Sequence, residues 1–578
     1  MIQEISFKNF RRFENFPPMK LNDINIFVGR NNSGKSTVLK ALQLMNGNIS
    51  AIDTTKLTFS LPDGRPGFVF DIESQGGVNI DTFERALYRK AKRKEITLTA
   101  QYDTASVKIV LDGESVSTDE HITVVPYTSI EIKSDTLELR YNFKTRDFEL
   151  TSTSIPSECE IEDNKYELKS LEEKLSDTLF EISDYETDYN NLEDEISGAD
   201  EIDPSLLGDK LVKMGNIKKK IAQLRKEEKN IEELIKDFKY AETSISHITI
   251  ENMESVVELC SVSPSLRILL DLSKYMESKT EGRPNSKKYK AEETKKATIK
   301  ELFPTIQNLI NNLGDEVRTI NVHFIHAHAA SQKVIYLKDD KSDTLSKTLS
   351  DFCKAKITKG QTPWNFVKKW MGKKGLQIGD DFKVTQVEGA GYLLKITEDG
   401  EEYNLADKGT GSIQLMTMLL TLALIINKSS EDTLILIEEP EQNIHPQLQS
   451  LLADLFLDFR NEINDKEGLF GGKYHTQLIV ETHSEYLVRR TQVLVAEANF
   501  KDEKDIAENN PFRTYYFDKD CKDTPVYEME YENTGGFKQR FGAGFYDEAS
   551  KLDLQIMQKE KEVRNSMTAE DLISLINK

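Results

Sequence analysis

At 578 residues the chain is too long for one hydrophobic core, and about three or four compact units are expected. Apolar residues make up 38%, enough to build cores, and charged residues 30%, which fits a long solvated helical element. The formal net charge of −22 excludes contact with nucleic acid or an anionic membrane through the surface at large, so any such contact needs a local basic patch or a partner subunit.

The chain opens β-like. Residues 2–7 alternate, and residues 24–28 form a mostly apolar run bounded by Gly29, the pattern of a buried strand. A helix is expected from Lys35 to about residue 45, with Val38, Leu39, Ala41, Leu42 and Met45 on its buried side. Between them, Gly29-Arg30-Asn31-Asn32-Ser33-Gly34-Lys35-Ser36-Thr37 fits GxxxxGK(S/T), placed after a strand and opening a helix. Such a loop wraps phosphates in backbone N–H groups at a helix N-terminus. Lys35 would reach the β- and γ-phosphates of ATP, and Ser36 would ligate Mg²⁺. Alternating segments at 67–72, 95–102, 107–111, 130–132 and 137–143 then predict an antiparallel β lobe.

From about 160 to 240 glycine is scarce and charge is dense. Leu168, Leu171, Leu175, Leu179, Ile182, Tyr185, Tyr189, Leu192 and Ile196 recur at three- and four-residue steps. Leu211, Met214, Ile217, Ile221, Leu224, Ile231, Leu234 and Phe238 form a second such seam. Residues 198–208, with Pro204, read as the turn of an antiparallel hairpin with arms of roughly 30–35 residues, about 50 Å each. The first arm is acidic (Glu172, Asp184, Asp188) and the second basic (Lys218, Lys219, Lys220, Arg225, Lys226). The basic run either pairs with the acidic arm or touches nucleic acid or a partner. Residues 250–315 read as helical and polar, with 283–300 as a basic linker opening at Pro284 and Ser286.

The α/β texture returns at about 316. Asp407-Lys408-Gly409-Thr410-Gly411-Ser412-Ile413-Gln414 precedes an apolar helix, and a Gly/Ser-rich helix start can donate N–H and hydroxyl groups to a phosphate. The apolar run 415–426 carries Thr417 and Thr421 and reads as too short to span a bilayer. Thr433-Leu434-Ile435-Leu436-Ile437-Glu438-Glu439-Pro440 is a central strand with two acids at its C-terminal edge, where α/β sheets place ligands. Glu438 would hold the Mg²⁺ shell, and Glu439 would position the attacking water. Residues 477–484 make a strand ending at His483 and Ser484.

Other constellations fit less well. Arg318 and His323 match the R-x4-H string of HEPN ribonucleases, which needs a helix, whereas Ile320, Val322 and Phe324 alternate as in a strand. His326 and His328 share a strand face with no carboxylate spaced to join them. Asp518-Lys519-Asp520 could hint at a Toprim nuclease but reads as a hairpin turn between 514–517 and 526–531. Cys159, Cys260, Cys353 and Cys521 are far apart, without a CxxC, which argues against a zinc finger or a disulfide scaffold. The N-terminus shows no signal-peptide pattern, and a cytoplasmic protein is expected.

Taken in order, these motifs resemble the split head of SMC, RecF, RecN and OLD-like ABC-type ATPases. In the SMC-like P-loop a Gly usually follows the Asn; Asn32 stands there, and Asn tolerates left-handed backbone angles. Gly409, Gly411, Ser412 and Gln414 resemble a degenerate signature motif, which in that family contacts the γ-phosphate of the other subunit. Glu438, in place of the usual Asp, resembles the EEPE form of the OLD-like branch. Residues 441–446 resemble the D-loop that crosses to the partner head, and His483 the H-loop residue that contacts the γ-phosphate.

The stretches FKNFRRFENF, IEEPEQNIHPQLQ and VETHSEYLVRR look most like OLD-like ATPases of prokaryotic defence and repair systems, and NTGGFKQRFGAGFYDE like a small C-terminal module on some of them. The resemblance implies an α/β ABC-type P-loop head: a mixed sheet flanked by helices plus an antiparallel β lobe, with an inserted antiparallel coiled-coil hairpin. The expected units are 1–155 (N-terminal half-head with β lobe), 156–245 (hairpin), 246–315 (helical linker), 316–498 (C-terminal half-head) and 499–578 (C-terminal module). It further implies an ATP- and Mg²⁺-dependent ATPase, a homodimer or higher even oligomer, and no membrane partner. Its role would be control of a nuclease effector in trans, as in Septu, retron-associated or PARIS defence ATPases. The alternative is a RecF- or RecN-like ATPase that clamps DNA directly; nucleic acid could be met directly or through the partner.

Overall fold

Parallel strands buried on both faces need near-continuous apolar runs, and this chain supplies them from widely separated places. In the computed structural model, a six-stranded sheet runs in the order Asn321–Ile325, Thr433–Glu438, Thr476–Glu481, Ile24–Gly29, Phe512–Phe517, Val526–Met529. Strands up to Phe512–Phe517 are parallel, and Val526–Met529 turns back as an antiparallel hairpin. The residues described are 1–47, 52–54, 58–61, 63–70, 80, 82–114, 116–119, 122–152, 158–197, 204–244, 247–254, 263–284, 286–326, 332–338, 340, 343–428, 431–464, 474–519, 521, 525–542 and 544–566. Ile72, residues 198–203, Cys260, His328 and Asp520 lie outside them, as do the side chains of Cys159, Leu168, Leu234 and Phe238.

The chain divides into two compact units. One comprises Met1–Ile130, Val257–Leu269 and Gln307–Lys578, and the other Glu131–Val256 and Leu270–Ile306. The first holds the six-stranded sheet, flanked by helices Lys35–Gly47, Thr410–Lys428, Pro446–Asn464 and Glu485–Glu497. Phe512–Phe517 lies directly beside the P-loop strand Ile24–Gly29, so the stretch read as a C-terminal module supplies part of the central sheet. The apolar run at 415–426 belongs to a helix of 19 residues, long and apolar enough to cross a membrane by length and composition. Residues 413–420 of that helix are all buried in the core of this unit. The same unit carries antiparallel strands Phe13–Lys20, Glu4–Phe10, Glu95–Gln101 and Ser106–Asp112, paired in that order.

In the second unit, strands Leu137–Asn142, Asp147–Ser152 and His247–Ile250 pair antiparallel. Helices Glu158–Ser197 and Pro204–Ser244 pack along each other, so the expected hairpin is present. Its arms have 40 and 41 residues, longer than the spacing implied, and reach about 60 Å. The second arm starts at Pro204, since proline suits a first helical position, so the turn does not extend to Gly208. Ile182, Leu224 and Ile231 are buried in the seam. Leu179, expected in it, is exposed, and Thr178 is buried instead; Leu211 is also exposed. Lys210 meets Glu195 at 3.0 Å and Arg225 meets Glu186 at 2.6 Å, the charge pairing anticipated between the arms. Residues 287–300 are not linker but the first turns of a helix, Lys287–Thr319; their Lys, Glu and Ala are good helix formers.

Candidate functional site

The P-loop joins strand Ile24–Gly29 to helix Lys35–Gly47, and its backbone explains its residues. Gly34 has φ 108°, and a Cβ there would come within 2.5 Å of the Phe13 ring, so no side chain fits. Asn32 has φ 59°, the left-handed conformation that asparagine tolerates. The Arg12 guanidinium donates to the Asn32 carbonyl and ties the loop tip down. The Lys35 side chain is buried; its ammonium donates to the carbonyls of Gly29 (3.1 Å) and Arg30 (3.2 Å) and faces His483 Nε2 at 3.2 Å. Burial lowers its pKa, against the pull of Glu481, Glu439 and Glu441.

The acids arrive from the neighbouring strands. Thr433–Glu438 and Thr476–Glu481 pair in parallel with Glu438 opposite Glu481, so both carboxylates reach the same C-terminal edge. Glu439, with φ 42°, turns the chain just past that edge, and Gln442 donates its amide to the Glu439 carboxylate. His483 Nε2 lies 3.6 Å from Glu439 Oε1. The backbone N–H of His483 donates to Glu441 Oε1 at 2.6 Å, so Glu441, read as the start of a D-loop, fixes the histidine within its own chain. Burial lowers the His483 pKa, and Lys35 adds to that.

Glu481 was not foreseen. It accepts a hydrogen bond from the Ser36 hydroxyl at 2.8 Å and faces the Lys35 ammonium at 3.8 Å. Burial pushes its carboxyl up to about 7, with Ser36 and Lys35 pulling it down and Glu438 and Glu439 pushing it further up. One ligand atom each from Glu439, Glu481 and His483 lie within 4.8 Å of one another. Hard carboxylate oxygens, a serine hydroxyl and one imidazole suit Mg²⁺ or Mn²⁺. Glu481 Oε2, buried and without a hydrogen-bond partner, is what a cation here would satisfy.

A model of the AAA ATPase domain matches residues 1–488. The chain belongs to that family. A solved Smc head domain from Pyrococcus furiosus, with an extended coiled coil and bound to the C-terminal domain of ScpA, covers 96% of this chain and 99% of its own, at 10% identity and a TM-score of 0.28. No curated protein matches. Membership makes this chain a P-loop ATPase that binds ATP, and it is an α/β protein with a coiled-coil insert.

Within this AAA ATPase, the signature-like residues sit at the start of helix Thr410–Lys428, against the turn that follows Glu439. A Cβ on Gly411 would fall 2.4 Å from the Asn443 carbonyl, and the Gln414 amide donates to the Glu439 carbonyl at 3.3 Å. Gly409 and Thr410 are exposed. A cavity of about 470 Å³ opens at the P-loop beside Gly29, Arg30, Asn31 and His483, and none of Gly409, Gly411 and Ser412 lines it. Its remaining wall is Lys519, Gly544 and Phe545, which adjoin the P-loop because strand Phe512–Phe517 runs beside Ile24–Gly29. A larger cavity of about 690 Å³, lined by Met19, Lys20, Asn510 and Tyr515 among others, shares no residue with the P-loop.

The rejected constellations are clear in space. Arg318 ends a helix and His323 lies on strand Asn321–Ile325, so they share no helix. Burial drives the His323 pKa down to about 4. A carboxylate does meet His326: Glu438 Oε2 is 3.7 Å from its Nδ1, brought there by the neighbouring strand rather than by sequence spacing.

Proposed function

We propose that this chain is an ABC-type ATPase whose heads close in pairs on ATP and Mg²⁺, hydrolyse the ATP and reopen. The observation that carries this reading is the convergence of Lys35, Ser36, Glu439, Glu481 and His483 at one sheet edge. Lys35 would neutralise charge on the β- and γ-phosphates, and the N–H groups of Gly29 to Ser36 would cradle them. Ser36 and Glu438 would hold Mg²⁺, which screens the phosphate charge. Glu439 would orient the attacking water and take its proton, with His483 held beside it by Glu441. The exposed start of the signature helix, which does not line its own chain's cavity, supports a role toward a second copy. The finer reading is a cytoplasmic dimer or higher even oligomer that governs a separate nuclease effector in anti-phage defence. It rests on the resemblance of the Ile437–Gln449 and Val480–Arg490 stretches to defence ATPases.

The test pairs two variants in solution scattering with ATP. Glu439→Gln should bind ATP, hydrolyse it at least a hundredfold more slowly and accumulate as a dimer. Ser412→Arg should bind ATP and stay monomeric. Normal hydrolysis by Ser412→Arg would remove the paired-head reading. Co-purification of a stoichiometric nuclease tests the effector role, and its absence from a native preparation made with ATP would count against it.

A further inference from the structure

We propose that Glu481 is a direct ligand of the divalent cation at this site, and that the protein binds one such cation there without nucleotide, Mn²⁺ more tightly than Mg²⁺. The proposal rests on the nucleotide-site reading above and adds to it a ligand and a metal preference: without nucleotide Glu439 and His483 complete the set around Glu481, and with ATP bound Ser36 and Glu438 take their places while Glu439 turns to the attacking water.

The Glu481 side chain is only 6% exposed. One of its oxygens, Oε1, takes the Ser36 hydroxyl, while Oε2 is buried with no hydrogen-bond partner. A buried carboxylate oxygen is rarely left so unless something else satisfies it. A positive charge already stands beside it: the Lys35 ammonium lies 3.8 Å from Oε1 and 3.2 Å from His483 Nε2. Both groups that compensate Glu481 have other tasks once ATP arrives. Lys35 turns to the phosphates and Ser36 to the cation. Glu481 would then face the triphosphate as an uncompensated buried anion, which is strongly unfavourable unless a cation takes over.

The geometry suits that cation. The ligand atoms of Glu439, Glu481 and His483 lie within 4.8 Å of one another. An octahedral ion with bonds of about 2.1 Å sets opposite ligands roughly 4.2 Å apart and adjacent ones roughly 3.0 Å apart, so the three side chains close on it by drawing together by up to about 1–2 Å. The His483 backbone is anchored by its N–H bond to Glu441 Oε1, which fixes the point from which the ring reaches this place. An imidazole among carboxylates favours Mn²⁺ over Mg²⁺. Lys35 competes for the same space, so removing it should help the metal while destroying the nucleotide site.

The experiment titrates Mn²⁺ into the nucleotide-free full chain and follows free Mn²⁺ by electron paramagnetic resonance. One Mn²⁺ should bind per chain, show nitrogen hyperfine coupling from His483, and yield only to a several-fold excess of Mg²⁺. Glu481→Gln, nearly the same shape, should weaken binding at least about tenfold. Glu481→Asp, which keeps the charge but shortens the reach, should weaken it at least about threefold. Lys35→Ala should bind Mn²⁺ at least as tightly as the wild type while losing ATP. No Mn²⁺ site without nucleotide, or an affinity unchanged in both Glu481 variants, overturns the proposal. ATP affinity retained in Lys35→Ala overturns the nucleotide-site reading instead, whatever the metal does.

Discussion

Replacing Glu481 by Gln should make the protein more stable at pH 8, not less. The fold raises this carboxyl from 4.5 to about 7, chiefly by burial. Between those values the unfolded chain has released the proton and the folded chain still holds it, so wild-type stability falls as pH rises through the window. Above pH 7 the full penalty applies, about 3 kcal/mol; at pH 5.5 it is about 1 kcal/mol. Gln can still accept from the Ser36 hydroxyl and carries no charge, so the variant escapes the penalty. For a unit of roughly 400 residues, with about 2.1 cal/mol/K of unfolding entropy per residue, that corresponds to about 4 °C at pH 8 and 1–2 °C at pH 5.5. Thermal unfolding of both proteins in EDTA, without nucleotide, at the two pH values measures the difference. A gap independent of pH, or a variant less stable than wild type at pH 8, would show that burial of charged Glu481 does not destabilise the fold.

Lys35→Ala should abolish ATP binding in an equilibrium assay, because the ammonium is the cation placed among the P-loop carbonyls; retained affinity would count against the assignment. Gly411→Ala should leave ATP affinity within about twofold but lower kcat roughly tenfold. The new methyl meets the Asn443 carbonyl and must push the turn that carries Glu439, a strain of about 1–3 kcal/mol. An unchanged kcat would mean that turn is not coupled to catalysis.

Much of this site was legible because its chemistry is written in contiguous strings. The P-loop sits between strand and helix, and Glu438 and Glu439 end an apolar run that could only be a buried strand. Glu481 was invisible for a different reason. It stands in a run of buried residues, and only the register that sets it opposite Glu438 brings it to Ser36. No spacing within a single strand contains that information. Lys519 and Phe545 were missed likewise, since they depend on strand Phe512–Phe517 lying beside Ile24–Gly29. In the hairpin, periodicity found both arms but chose Leu179 over Thr178, because hydrophobicity alone does not decide which of two adjacent residues faces the partner. Residues 283–300 read as linker on their charge and on Pro284, yet from Lys287 onward the Lys, Glu and Ala residues favour helix.

The charge balance at the sheet edge couples nucleotide to metal in a way that can be measured. Lys35 is drawn at once to Glu439, Glu441 and Glu481. When ATP takes Lys35, the phosphates and Glu481 confront each other as like charges in a buried place, and a divalent cation relieves both. Removing the cation should therefore cost the wild type more ATP affinity than it costs Glu481→Gln, which has no charge to strand. With a non-hydrolysable ATP analogue, the loss of affinity on adding EDTA should be about tenfold greater in wild type than in the variant, a coupling of about 1.4 kcal/mol. By linkage, the same factor must appear when metal affinity is measured with and without nucleotide. Equal losses in the two proteins would mean that Glu481 does not sense the cation, and that its contact with Ser36 serves the empty P-loop alone.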